Sequence, residues 1–184
     1  MNSLTFLLQY IFKPRTVGAV LPSSKYLAKK MLASVDFDVA KCIVEYGAGT
    51  GVFTKRILEK RHPDTVIIVF EKNEAFYQSL TNKYGAEPNV YIVNESAENV
   101  GQHLQKCGLE YADYIVSGLP FTSLPAEVSE NILVQTKKYL SESGTFITFQ
   151  YSLLKMEFIR RFFISIETEL EIRNIPPAYV LRCR

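Results

Sequence analysis

Beyond residue 41 the chain alternates between two apolar patterns. Short runs rich in β-branched residues fill 42–46, 66–70, 90–93, 114–116 and 145–149, while apolar positions recur at helical spacing over 52–60, 74–84, 97–105 and 127–140. Strand and helix in alternation predict a parallel sheet with helices on both faces, because a parallel crossover needs a connection long enough to hold a helix. A further helical pattern covers 153–163, and two strand-like runs, 168–172 and 179–182, flank the sequence RNIPPA. Pro176 and Pro177 have no N–H to give a ladder, so that short connection predicts an antiparallel hairpin. The expected fold is therefore α/β: a doubly wound, mostly parallel, seven-stranded sheet with an antiparallel final strand. The 184 residues are expected to form one domain, with a helical cap over 1–34 and a core over 41–184.

The N-terminal pattern differs. If 4–13 is helical, Thr5, Gln9 and Lys13 share one narrow stripe and seven large apolar residues fill the remainder. Such a helix lies in a lipid interface with Lys13 and Arg15 among the headgroups, packs over the core, or sits in a dimer. Residues 1–41 carry six cations against two acids, a charge of +4, although the whole chain is only +2. An anionic partner, phospholipid or nucleic acid, is expected at this end. Ser23, after Pro22, is expected to cap a helix over 25–32, and its hydroxyl also suits a cofactor carboxylate or a lipid phosphate.

Three separated cysteines and two histidines give neither a disulfide framework nor a metal-ligand spacing, so no metal is expected. No apolar stretch reaches the roughly 20 residues that span a bilayer, and the N-terminus lacks the features of a secretory signal. The expected location is the cytoplasm, with peripheral contact at the inner face of the membrane.

Candidate chemistry begins at IVEYGAGTG, 43–51. Gly47, Gly49 and Gly51 directly follow a predicted strand, where they allow a tight turn and close approach of backbone, with Ala48 among them, to a ligand at a helix N-terminus. Glu71 ends the second strand 20 residues beyond Gly51, where a carboxylate can accept from both hydroxyls of a ribose, and Lys72 follows it. No Lys-Ser/Thr pair follows the glycines, which excludes a P-loop, and the third glycine comes one residue too early for the dinucleotide fingerprint.

Glu45, Gly47, Gly49 and Gly51 resemble the first motif of class I S-adenosylmethionine-dependent methyltransferases, a family with this element order and an antiparallel final strand. The resemblance implies that Glu45 lies near the amino acid end of the cofactor, that the glycine backbone passes beneath it, that Glu71 takes the ribose, and that Ser96 and Ala97 meet the adenine. Glu95 and Glu98 are alternatives to Ser96. The product would be S-adenosylhomocysteine.

The acceptor side is expected at VSGLPFTSLP, 116–125, after the fourth strand. Two prolines stiffen this loop, and Phe121 offers an aromatic face. In rRNA adenine dimethylases, which this loop also resembles, an Asn stands where this chain has Gly118. SGLPF more closely resembles bacterial phospholipid N-methyltransferases, as do VGAVLPSSKYLAKKM at 17–31, FQYS at 149–152 and NIPPAYV at 174–180. That resemblance implies methyl transfer to a phosphatidylethanolamine-like headgroup amine, with Ser117, Leu119, Pro120, Phe121 and Tyr26 around the reacting groups and Ser117 also touching the cofactor. Tyr26, Phe121, Tyr151 and Tyr179 can attract a methylated ammonium through their ring faces. Tyr26, Glu45 or a water can take the proton. The expected partner is a phospholipid surface met by the N-terminal segment. The alternatives are an adenine N6-methyltransferase acting on RNA and a non-catalytic cofactor-binding or membrane-associated module.

Overall fold

The structure is a computed structural model that describes residues 24–154 and 156–184. Seven strands form one sheet in the order β3-β2-β1-β4-β5-β7-β6. These are β1 (Cys42–Tyr46), β2 (Val66–Phe70), β3 (Val90–Val93), β4 (Ala112–Ser117), β5 (Leu140–Gln150), β6 (Ile166–Glu171) and β7 (Ala178–Cys183). The first five run parallel, and β7 is antiparallel to both β5 and β6. The helices are α1 (Lys25–Met31), α2 (Val52–Lys60), α3 (Glu74–Tyr84), α4 (Val100–Lys106), α5 (Ala126–Tyr139) and α6 (Met156–Arg160).

All five residues of β1 are buried, as a central strand covered on both faces requires. Alternate residues serve different layers. Cys42, Val44 and Tyr46 pack with Leu104 of α4, Ile132 and Leu133 of α5 and Ile159 of α6. Ile43 packs on the opposite face with Leu27 and Met31 of α1, Phe53 and Ile57 of α2 and Leu80 of α3. Edge strand β6 is mostly exposed, so burial gives its ends little signature, and it spans Ile166–Glu171 instead of the expected 168–172.

β4, β7 and α5 shift by a residue or two at their ends, and three other departures from the sequence pattern are larger. The polar start of β5, Ser141 to Gly144, is strand because β5 continues back to Leu140, which pairs with Ala112 across an irregularity in the ladder. The pattern over 97–105 divides into a 3-10 turn, Ala97–Asn99, and α4. Residues 151–154 form a turn, leaving α6 as a five-residue helix.

The cap helix is held against the C-terminal hairpin. Lys30 Nζ lies 2.8 Å from Glu169 and donates to Leu170 O at 2.9 Å, while Arg182 donates to both Lys30 O and Glu169. At the other end of α1, the Ser24 N–H donates to Asn174 Oδ1 at 3.0 Å. Ser24, and not Ser23, is the N-cap: its Oγ accepts from Leu27 N–H at 3.1 Å. Ser23, the apolar run 4–13, Lys13 and Arg15 lie outside the described residues.

Candidate active site

Val93, Phe70, Tyr46, Ser117 and Thr148 stand side by side across β3, β2, β1, β4 and β5. The segments leaving β1 to β4 therefore converge on one sheet edge. Successive strands depart in opposite directions from β1, because β4 pairs on the side away from β2. Such a reversal leaves a crevice at the carboxyl ends of the strands.

The glycine turn borders that crevice. Gly47, Gly49 and Gly51 have φ of 67°, 55° and 82°, a region that costs an ordinary L-residue about 1–2 kcal/mol. The Gly47 N–H donates to Phe70 O at 2.8 Å, so the turn is anchored on β2. A side chain at Gly49 would meet no atom within 4 Å, which leaves open space beside the turn. Ala48 is buried between these glycines.

Glu71 is mostly buried. Its Oε2 accepts from Gly49 N–H and its Oε1 from Asn73 N–H, both at 2.7 Å. The acid thus joins the exit of β2 to the glycine turn. A carboxylate has about four acceptor sites, so two N–H donors leave capacity for sugar hydroxyls. Lys72 beside it is exposed, and its carbonyl and that of Glu71 both accept from Asn94 Nδ2.

Glu45 is fully buried two residues before Gly47. Thr54 of α2 donates its hydroxyl to Oε2 at 2.7 Å, while Oε1 has no hydrogen-bond partner. Burial pushes this carboxyl up to about 8 against the opposing pull of the Thr54 bond. A buried, unpartnered acceptor is a place for a donor brought by a ligand.

The loop after β4 interlocks with the turn. The Gly118 N–H donates to Tyr46 O at 2.8 Å, and a Cβ on Gly118 would come within 2.7 Å of Gly47 O. Conversely, Leu119 Cδ2 lies 2.7 Å from the place a Cβ on Gly47 would take. Each glycine makes room for the other segment. The Asn of the adenine dimethylase motif has no space at position 118 in this backbone.

Phe121 requires a correction. Its ring is completely buried, edge-on to Phe146 at 6.2 Å, and so presents no face to an acceptor. Ser117 is also buried, and its Oγ accepts from Leu119 N–H at 3.2 Å, steadying the loop in which Pro120 sits. Tyr26 is partly exposed, but the Arg173 guanidinium lies 4.4 Å from its ring centroid and Lys25 Nζ lies 5.3 Å away. Cations of the chain already engage that ring. Ser96 caps the 3-10 turn and donates to Glu98 Oε2 at 2.8 Å, with Ala97 buried behind it. Glu95 instead accepts from Asn99 and lies 3.2 Å from His103 Nε2.

Asparagines at loop exits escaped sequence reasoning. Asn73 caps α3, Asn94 ties β3 to β2, and buried Asn174 joins α1 to its own loop by donating to Pro176 O at 2.8 Å. The only local signal is an Asn beside a strand end or a proline.

The reversed strand order, the three left-handed glycines and the acid closing β2 are those of a class I methyltransferase fold. No protein-family model matches the chain. An ornithine lipid N-methyltransferase from Singulisphaera acidiphila is 35% identical over 187 residues, covering 100% of this chain and 97% of that protein. The precorrin-6y C5,15-methyltransferase structure from Geobacter metallireducens superposes with a TM-score of 0.70 at 15% identity, over 94% of this chain and 95% of that one. The T. thermophilus 16S rRNA N2 G1207 methyltransferase, solved with AdoMet and guanosine, gives a TM-score of 0.66 at 20% identity, over 92% of this chain and 44% of that one. The chain belongs to the S-adenosylmethionine-dependent methyltransferase family that includes the Singulisphaera enzyme, and it is an enzyme. Among the described residues no helix is long and apolar enough to cross a membrane.

Proposed function

We propose that this methyltransferase acts on the amine of a lipid headgroup, of the phosphatidylethanolamine or ornithine lipid kind. The observation that carries the reading is the end-to-end 35% identity to a lipid N-methyltransferase. The two headgroups share a primary amine close to an anionic group. Gly118 weighs against the RNA adenine alternative, since an Asn amide there would collide with the glycine turn.

The site fits S-adenosylmethionine. The open space beside Gly49 accommodates a ligand against the backbone, and the unpartnered Oε1 of Glu45 suits an amino acid ammonium. In this reading Gly47, Ala48, Gly49 and Gly51 support the cofactor, Glu71 holds its ribose, and Ser96 and Ala97 border its adenine. Lys72 stands at the rim. When bound, the cofactor supplies an electrophilic methyl group on a sulfonium.

The chain's own task is to hold a neutral amine in line with that methyl and to keep water away. Leu119 and Pro120 form the wall of the acceptor loop. Ser117 and Phe121 support it from within by a hydrogen bond and by packing. Glu45, buried beneath the turn and bonded to Thr54, serves the cofactor side and not as the base for the amine.

Purified protein is expected to transfer labelled methyl groups from S-adenosylmethionine to vesicles containing phosphatidylethanolamine or ornithine lipid. A Glu71→Ala variant should lose at least about tenfold in activity, as befits removal of charge-assisted bonds of about 1.5–3 kcal/mol. Transfer to RNA with none to either lipid would reject the assignment.

A further inference from the structure

Five of the eleven large apolar residues exposed among the described residues gather at the carboxyl edge beyond β5, β7 and β6: Tyr26, Leu153, Leu154, Ile172 and Ile175. Scattered apolar side chains are ordinary on a protein surface, but a cluster on adjoining loops calls for a partner. Leu153 and Leu154 lie in the turn after β5, and Ile172 and Ile175 lie in the loop between β6 and β7. The two loops are neighbours, because Gln150, at the end of β5, pairs with Tyr179 at the start of β7. Leu154 is 85% and Ile175 is 75% exposed, so neither contributes to the core.

We propose that the loops 151–154 and 172–177 are the surface on which the protein rests against an anionic lipid bilayer. This rests on the lipid acceptor reading, since an amine embedded in a headgroup layer reaches the crevice only if this edge of the sheet meets the layer. An aromatic line connects the two places: Phe53 of α2, directly after the glycine turn, lies 6.1 Å from Phe149, which lies 5.5 Å from Tyr151.

Charge and chain path select the bilayer as occupant. Lys25 and Lys29 are exposed on α1, and the first 41 residues carry +4, which complements anionic headgroups. The described chain begins at Ser24, whose N–H donates to Asn174, within the same loop as Ile175. The apolar stretch 4–12 precedes that point in the sequence. Large aliphatic side chains rimmed by lysines are the composition of an interfacial contact.

The test uses the full chain and vesicles of mixed phosphatidylcholine and phosphatidylglycerol. Leu154→Asp combined with Ile175→Asp is expected to lower vesicle partition by about tenfold or more, while methyl transfer to a monomeric short-chain phosphatidylethanolamine stays unchanged. Ile164→Asp, at the opposite sheet edge where Ile164 N–H bonds Arg184 O, should leave partition unaltered. Unchanged partition in the double variant overturns the proposal, as does an equal loss in Ile164→Asp. Unchanged partition together with conversion of a dimer to a monomer would assign the loops to a second copy of the chain instead. If partition falls as expected but neither parent nor variant methylates any lipid, the docking surface stands and the acceptor reading fails.

Discussion

Glu45 combines complete burial with one unsatisfied oxygen, and this makes its protonation a measurable property of the fold. Its carboxyl titrates at about 8 when folded against an ordinary value of 4.5, so the native state binds more protons between these values. The associated stability is full below pH 4.5 and is lost as pH rises through 8. Glu45→Gln keeps the neutral shape, and its cofactor-free melting temperature should exceed the parent's increasingly from pH 5 to pH 8, reaching about 1–3 kcal/mol of added stability. A constant difference across that range, read by scanning calorimetry, would place the carboxyl in water. Gly118 tests the opposite kind of constraint, lack of space. Because its Cβ would come within 2.7 Å of Gly47 O, and backbone cannot rotate away as a side chain can, Gly118→Asn should cost about 1–3 kcal/mol in denaturant unfolding. The same variant should lower methyl transfer by displacing Leu119 and should not create adenine methylation, whatever its resemblance to a dimethylase motif.

Helix α1 has only seven residues, too few to be stable alone, so its place depends on the hairpin it touches. Leu27, Ala28 and Met31 are buried under it, and Lys30 reaches Glu169 and Glu171 on β6. The Arg173 guanidinium donates to Glu171 at 2.9 and 3.0 Å and the Arg173 backbone N–H at 2.9 Å, and these bonds, the guanidinium's foremost, keep the carboxyl down at about 2. A carboxyl lowered in this way contributes stability above its unfolded value of 4.5 that disappears as pH falls through 2. Glu171→Gln should therefore melt below the parent at pH 7, and the gap should close towards pH 2. A gap that persists in strong acid would mean that Glu171 acts by packing and not by charge. The Arg173 guanidinium that completes this pair also lies on Tyr26, so the same variant should free the ring and alter its fluorescence.

Three strands and two helices, β1, β2, β3, α2 and α3, coincide with the boundaries read from apolar spacing, because buried parallel strands and their crossover helices write their periods directly into sequence. The glycine turn and Glu71 were legible for a related reason: positive φ and a fixed strand-to-strand spacing leave residue types behind. What escaped depends on distant partners. No local pattern says that Phe121 turns inward to Phe146, that Thr54 bonds Glu45, that Asn174 receives the cap helix, or that Ser141 to Gly144 extend a strand by pairing with β4. The converging strand ends nevertheless give the whole sheet one functional edge, and that asymmetry can be measured. Titration with S-adenosylhomocysteine should slow amide exchange at 47–51 and 71–73, two segments joined by the Gly49–Glu71 bond, and at 117–121, which interlocks with the turn through Gly118. Exchange at the opposite edge, around Cys42, Val66 and Ile166, should stay as it is. Protection spread equally over both edges would mean that binding stabilises the fold globally, whereas protection confined to 81–107 would move the nucleoside out of the crevice to the outer side of β3.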